Sequence, residues 1–491
     1  MREITYLLCC AALVGACASP PQQNKPQEKA TEVDAVPAEP VNPYPSTYRV
    51  RPATTTLIRG ATVLTGTGAR LDNADVLIVS GKIEAVGPNL SAPAGARIVD
   101  ASGRWVTPGL IDVHSHLGVY PSPGVNAHSD GNEATDPVTA NVWSEHGVWP
   151  QDPGFQTALE GGITSLQILP GSANLIGGRA VTLKNVPATT YQAMKFPNAP
   201  QGLKMACGEN PKRVYGGQSR APSTRMGNVA GYRQAFADAQ DYREQWRKYE
   251  REVAEYQKKS AEKKDKKDSE EANEPPVPPK RDLKLETLVG AMNGDIRVHI
   301  HCYRSDEMAI MLDLSKEFGF KISAFHHAIE AYKIADLLAA NGVCGAEWAD
   351  WWGSKMEMFD GIQENIALTD LPAGGCAIVH SDSDEGIQRL NQEAAKAMSR
   401  GNRIGLNITA EHAIRWLSAN PARALGIDQV TGTLEPGKMA DVVIWNGTPF
   451  SVYALAEQVF VDGQLEFDRA NPRPQPRSDF LLGQPGAGTQ P

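Results

Sequence analysis

The sequence predicts an α/β protein: a (β/α)8 barrel with a small β-sandwich domain formed from both chain ends. Three observations predict it. Short apolar strands alternate with helical stretches through the middle of the 491-residue chain, the pattern of a parallel sheet wrapped by helices. Strand-like runs separated by turn residues crowd both flanks. Several middle strands carry histidine, lysine or aspartate on them or at their ends, where barrels of this kind place their functional groups.

The first residues read as an export signal. Arg2 precedes an apolar run from Tyr6 to Ala16, and Leu13-Val14-Gly15-Ala16 lead into Cys17. A basic start, a short apolar core and small residues before a cut form a secretory signal, too short to span a bilayer comfortably. Small residues before a cysteine resemble a bacterial lipobox, so residues 1–17 are expected to be a lipoprotein signal peptide and Cys17 an acylated terminus. An ordinary signal peptide is the alternative. Residue 18 is Ala18 rather than aspartate, which by resemblance to lipoprotein sorting rules favours the outer membrane, facing the periplasm. No later segment offers about 18 uninterrupted apolar residues, so the membrane contact expected is through the lipid alone.

Residues 18–53 are rich in Pro, Gln, Glu, Lys and Ala and read as a disordered tether. Strands then follow over 54–107: Thr56 to Ile58, Ala61 to Leu64, Asp75 to Val79, a turn at Ser80-Gly81-Lys82, Ile83 to Val86, Arg97 to Asp100 and Arg104 to Val106. Ala440 to Trp445 and Gln458 to Val461, within 430–470, resemble further strands of the same sheet, making a composite β domain. Residues 108–429 hold the barrel, and 471–491 a flexible tail. Its strands begin at Leu110 to Val113 and continue with Ile163 to Leu169, Gly202 to Cys207 and Arg297 to His301. Lys321 to His327, Gly342 to Gly345 and Cys376 to His380 complete them. Helical stretches such as Asp306 to Glu317 and Ala331 to Ala340 lie between. A charged segment at about 233–280, closed by Pro275-Pro276-Val277-Pro278-Pro279, reads as a solvated helix with a proline-rich return inserted after the fourth strand.

Composition excludes some functions. The formal charge of −9 argues against nucleic acid as a partner, because binding phosphates needs a net basic face. Beyond the signal, Cys207, Cys302, Cys344 and Cys376 stand singly without Cys-x-x-Cys spacing, so they read as buried core thiols rather than a zinc knuckle or disulfide framework. One disulfide in an oxidising compartment stays open.

The most informative stretch is Pro108-Gly109-Leu110-Ile111-Asp112-Val113-His114-Ser115-His116. Alternation along a strand puts residues i and i+2 on one face, so both imidazoles can grip one metal ion. Later strand ends add more ligand types: Lys204 and Glu209 on and just after the fourth, His301 at the fifth, His327 at the sixth and Asp382 after the eighth. His299 shares the face of His301 but lies further from the strand end. His326 and His327 point to opposite faces by alternation. His128, His146 and His412 occupy ordinary loop or helix positions, and His380 lies two residues before Asp382, near the site but not in it.

With these residues in view, the chain from about 55 to 470 resembles the amidohydrolase superfamily, most closely its imidazolonepropionase-like and prolidase-like bacterial members. The resemblance rests on Gly109-Leu110-Ile111-Asp112-Val113-His114-Ser115-His116, on Pro170 to Gly178 and on Gly208-Glu209-Asn210-Pro211-Lys212. It closes with Ser418 to Gly426 and Gly432 to Asp441. It implies two divalent metal ions, zinc being the ion such ligands suit. His114 and His116 would hold the more buried ion, and His301 and His327 the more exposed one. Lys204, carboxylated to a carbamate, would bridge them; Glu209 is the alternative bridge. Asp382 would touch the buried ion and act as general base and then general acid. The ions would lower the pKa of a shared water toward about 7 and polarise a scissile carbonyl.

The function this implies is hydrolysis of amide or peptide bonds in a small molecule such as a dipeptide or N-acyl amino acid. A mononuclear deaminase or cyclic-amide or lactone hydrolase of the same superfamily is the alternative. A non-catalytic surface lipoprotein binding a partner through 233–280 is a third reading, opposed by the full set of ligand-type strand ends. Homo-oligomer formation stays open. Trp348-Ala349-Asp350-Trp351-Trp352 and 126–149 suggest an aromatic, partly acidic rim.

Overall fold

The computed structural model describes residues 42–264, 274–351 and 353–471. The expected signal peptide with Cys17, the tether as far as residue 41, and the tail from 472 lie outside the described residues. None of the described helices is long and apolar enough to cross a membrane.

Among the described residues, sixteen strands form two sheets. The first contains β1 (Thr56–Leu64), β2 (Arg70–Val79), β3 (Lys82–Gly87), β4 (Arg97–Asp100) and β5 (Trp105–Pro108) from the front of the chain. The second contains β6 (Leu110–Ser115), β7 (Ile163–Ile168), β8 (Ile176–Lys184), β9 (Gln201–Ala206), β10 (Ile296–Cys302), β11 (Ile322–His327), β12 (Cys344–Glu347) and β13 (Ala377–Val379). The last three, β14 (Val442–Trp445), β15 (Ala456–Val461) and β16 (Gln464–Asp468), return to the first sheet. Its order is β16-β15-β14-β5-β1-β2-β3, with β4 added beside β1. Strands from both chain ends thus share one unbroken hydrogen-bonded sheet, where a sandwich of two stacked sheets was expected. Ile58, Val63, Val76, Ile78, Val106, Val442 and Ile444 pack into its core.

The chain leaves this sheet for the barrel at Pro108-Gly109. Gly109 N–H donates to the Asp441 carbonyl at 2.8 Å, which ties the crossing point to the returning end of the chain. A Cβ at Gly109 would sit 2.1 Å from Thr164 Oγ1, so only glycine fits there.

The barrel strands run in spatial order β6 through β13. One departs from the expected parallel arrangement: β8 pairs antiparallel with both β7 and β9. Pro170 to Gly178 carries no strand pattern in the sequence; the chain turns back there and re-enters the sheet in reverse as β8. Between β13 and β6 the barrel is nearly closed. Its seam is bridged by Asp382 N–H donating to His114 O at 3.0 Å and Ser381 N–H donating to Asp112 Oδ1 at 3.2 Å.

The charged segment expected as a solvated insertion is a 40-residue helix, Arg225–Lys264, that starts earlier and packs along one face. Tyr232, Ala235, Phe236, Ala239, Tyr242, Tyr249 and Val253 are buried on it, a spacing of three and four residues that marks one helical stripe. Phe236 stacks on Phe320 with centroids 4.5 Å apart and on Phe318 at 5.6 Å. The polar majority in the sequence masked this stripe.

The four cysteines are paired, not free: Cys207 with Cys302 and Cys344 with Cys376. Strand register explains it. Ala206 is opposite His301, so the next residues, Cys207 and Cys302, meet; Gly345 is opposite Ala377, so the preceding residues, Cys344 and Cys376, meet. Local spacing cannot reveal partners that only neighbouring strands bring together.

The end of the expected tether is also docked. Tyr48 is buried and its hydroxyl donates to Asp462 Oδ2 at 2.5 Å, while Lys195 donates to Tyr44 O at 2.8 Å.

If the long helix is a packed part of the barrel wall, Phe236→Ala should cost about 3–5 kcal/mol, the range for truncating a buried aromatic. Arg247→Ala on the exposed face should stay within about 0.5 kcal/mol. Urea unfolding of both variants measures this, and equal, negligible losses would mean the helix does not support the barrel.

Candidate metal centre

The barrel interior collects imidazoles because strand alternation and register agree. Lys204 on β9 is opposite His299 on β10, and His301 is opposite His326 on β11, so these four share one face. His114 and His116 follow from β6, and Asp382 lies just beyond β13. His327 should point away from the interior by alternation. It does not, because its φ of 68° turns the strand end and swings the ring back in. The expected opposition of His326 and His327 is thereby corrected: His114 approaches the rings of both, with centroids 4.8 Å from each. Asp382 is likewise left-handed, with φ 51°. Such backbone costs about 1–3 kcal/mol per residue and concentrates at functional sites.

Asp382 is the hub. Its Oδ1 lies 3.1 Å from His116 Nε2 and 3.3 Å from His114 Nε2, and its Oδ2 lies 3.9 Å from His327 Nδ1. The loop that carries it is fixed from below by buried Asp112, which accepts from the backbone N–H groups of His114 and Ser381 and from the Ser381 hydroxyl. His116 Nδ1 donates to Leu169 O at 3.0 Å, since a carbonyl can only accept, and this turns Nε2 toward Asp382. His380 Nε2 accepts the His327 backbone N–H at 3.1 Å.

Beneath the hub runs a chain of rings that sequence reasoning passed over. His114 Nδ1 is 2.9 Å from His326 Nδ1, and His326 Nε2 is 2.9 Å from His299 Nδ1. Each contact needs one donor, so the protons can point along the chain in only two ways. If the His114 Nε2 lone pair faces a cation, its Nδ1–H must donate to His326, and His326 then donates to His299. His326 and His299 thereby set the tautomer of His114. The register pairing would have shown this, but the sequence alone does not give the register.

Burial governs the charges. It pushes His114, His301, His326 and His327 well below the usual histidine range, His299 down to about 3 and His380 down to about 4. These rings are neutral, the form that ligates. Burial also brings Lys204 down to about 8, against the pull of Asp382, and Asp112 up to about 7. For Asp382 burial works toward protonation, but the histidines around it, His116 and His327 first among them, outweigh it and hold the carboxylate ionised.

The predicted residues separate cleanly. His114, His116, His301, His327 and Asp382 converge, with Lys204 under them. Lys204 is 1% exposed and donates to Pro170 O at 3.0 Å. Glu209 is instead partly exposed in the first turn of the helix Glu209–Gly216. His128, His146 and His412 lie elsewhere: on Pro123 O, against Trp143 and on Asp370. The expected aromatic rim holds for Trp348, buried with its ring 4.3 Å from His327, and for Trp351 stacked outside it; Trp352 lies outside the described residues. Three mouth residues were missed: Tyr303, Asn210 and Lys355. Asn210 Nδ2 lies 3.3 Å from His301 Nε2, and Lys355 reaches Asn210 and Tyr303.

The arrangement suits a divalent cation. His114, His327 and Asp382 bring ligand atoms within 4.8 Å of one another, as do His114, His326 and His380. His301 Nδ1 and His327 Nδ1 are buried with no hydrogen-bond partner among the described residues. Buried polar atoms are rarely left so, and neutral imidazole nitrogens with one carboxylate are the donors that borderline ions such as zinc favour.

A nearly closed barrel with a histidine–aspartate centre at its strand ends defines a class of hydrolases. The amidohydrolase family matches residues 105–469, and the chain belongs to that family, whose members use divalent metal ions. A solved amidohydrolase from Thermotoga maritima MSB8 is 35% identical, with a TM-score of 0.71, covering 84% of this chain and 100% of its own. Amidohydrolase tasK from Hapsidospora irregularis is 34% identical over 423 residues, 80% of this chain. The chain spans only 40% of that relative's length. A dihydroorotase from Pelotomaculum thermopropionicum is 33% identical over 125 residues, 26% of this chain and 24% of its own.

Proposed function

We propose that this protein is an exported, metal-dependent hydrolase of amide or peptide bonds, of the dipeptide or N-acyl amino acid type. The observation that carries the reading is Asp382, an ionised carboxylate within 3.3 Å of two histidine nitrogens at the barrel's functional end. His114, His116 and Asp382 would hold one ion, and His301 and His327 a second, with Lys204 as a carbamate between them. Ions bound there supply an acidified water and a polarised scissile carbonyl. Asp382 takes the proton of the attacking water and returns it to the leaving nitrogen, base and then acid. Asp112 and Ser381 hold Asp382 in place for both transfers, and Trp348 shields the His327 side from solvent. The position of Lys204, buried directly beneath the cluster, supports it over the partly exposed Glu209 as the bridge.

A second reading is hydrolysis of a cyclic amide, favoured by the segment shared with dihydroorotases. Turnover assays with dipeptides, N-acyl amino acids and cyclic amides on metal-loaded enzyme separate the two.

Export and anchoring through Cys17 at the outer membrane belong to the same proposal. The two disulfides support it, because such bonds persist in oxidising compartments and are rare in the cytosol. Cys17→Ser should abolish lipid labelling and release the protein from membranes or leave it unprocessed. Normal processing and membrane retention of that variant would remove the anchor.

Asp382→Asn keeps the shape and loses the proton carrier, so kcat should fall by about 10²-fold or more. Near-normal kcat in the metal-loaded variant would remove Asp382 from the chemistry.

Lys204→Ala should lose metal and rate, and short-chain carboxylic acids should restore part of both by filling the hole. Glu209→Gln should keep its metal. The opposite pattern, two ions in unaided Lys204→Ala and loss in Glu209→Gln, would make Glu209 the bridge.

A further inference from the structure

The loop after β12 folds across the helix Glu209–Gly216 and brings one lysine to the mouth of the centre. Glu357 pins this loop. It is buried and ion-paired to Arg225, and its Oε2 lies 2.8 Å from where a Cβ on Gly208 would stand, a contact that only glycine permits. Two residues earlier, Lys355 Nζ lies 3.1 Å from Asn210 Oδ1 and 3.2 Å from Tyr303 OH, with the ammonium 5.0 Å from the Tyr303 ring centroid.

Both of those acceptors are neutral. No carboxylate comes within 4.0 Å of the Lys355 ammonium among the described residues. Other lysines around this end are paired: Lys333 with Asp360 and Glu330, and Lys396 with Asp350 and Glu393. Glu209, Glu357 and Asp382 act on this ammonium through space, but none pairs with it directly and burial outweighs them. A half-buried ammonium of this kind gains from an anion that completes it, and a hydrogen bond between charged groups is about twice as strong as a neutral one. Position says which anion. Asn210, which Lys355 holds by its oxygen, touches His301 Nε2 with its nitrogen at 3.3 Å, so one amide group separates the ammonium from the reaction centre. In an N-acyl amino acid the carboxylate is separated from the scissile carbonyl carbon by the amide nitrogen and one carbon, a comparable step.

We infer that Lys355 is a specificity-determining residue that binds the free α-carboxylate of the substrate, and that the enzyme acts on acylated amino acids whose C-terminal carboxylate is unblocked. The inference rests on the hydrolytic reading above for its reaction, but not for its binding test. Tyr303 and Asn210 hold the ammonium at the mouth, and the carboxylate takes its remaining N–H.

Binding is measured by calorimetry in metal-loaded Asp382→Asn protein with N-acetyl-L-amino acids and their carboxamides. The acid should bind at least about tenfold more tightly than its carboxamide, the scale of a charge-assisted hydrogen bond. Adding Lys355→Met should bring the ratio of the two affinities near one, and Lys355→Arg should restore part of it. Lys355→Gln retains hydrogen bonding to Asn210 and Tyr303 without the charge and should behave like Lys355→Met, covering the case in which methionine disturbs the loop. In active enzyme the same loss should appear in KM for the acid more than in kcat. Equal binding of acid and carboxamide by the parent, or an equal loss of both in Lys355→Met and Lys355→Gln, overturns the assignment. Preferential acid binding by a protein that hydrolyses no acylated amino acid keeps the assignment and defeats the hydrolytic reading instead.

Discussion

A cage of buried imidazoles that satisfy one another only in part is the constraint on which this structure depends. Burial keeps His114, His301, His326 and His327 neutral, and a neutral ring has one donor and one acceptor. Stacked around Asp382 they run out of protein partners: His301 Nδ1 and His327 Nδ1 have none among the described residues. Apolar side chains would fill the same space at lower cost. A barrel end built this way suits divalent cations, the ions that members of the amidohydrolase family use.

The backbone is bent to serve the cage. His327 and Asp382 both adopt left-handed φ values, and each bend aims a side chain that regular geometry would send elsewhere. What holds them is local. The Asp382 N–H donates to His114 O across the barrel seam, so the contact that closes the barrel also joins the strand of His114 to the residue proposed as the proton carrier. Asp112 and the Cys207–Cys302 bond, immediately beside His301, restrain the same rim from two sides. Closure, strain and chemistry meet at one place.

Much of this was legible in the sequence because it follows periodicity. The His114-Ser115-His116 pair, the strand-end positions of His301 and Asp382, and the strands of both chain ends are readable from alternation alone. What was not legible depends on register or on loops. The cysteine pairs and the ring chain His114–His326–His299 exist only once neighbouring strands are aligned. The antiparallel β8 was hidden in a glycine-rich run that reads as a loop. The long helix Arg225–Lys264 was judged by its charged majority, although Tyr232, Phe236, Ala239 and Tyr242 already mark a buried stripe. Lys355 carries no periodic signal and becomes visible only when the loop is seen folded over Asn210.

The most direct measurement is anomalous diffraction at the zinc edge from protein crystallised with zinc and bicarbonate. The account predicts two peaks, one among His114, His116 and Asp382 and one beside His301 and His327, with added density on Lys204 Nζ between them. A single peak lower in the barrel, among His114, His326 and His380, with Lys204 unmodified, would contradict it.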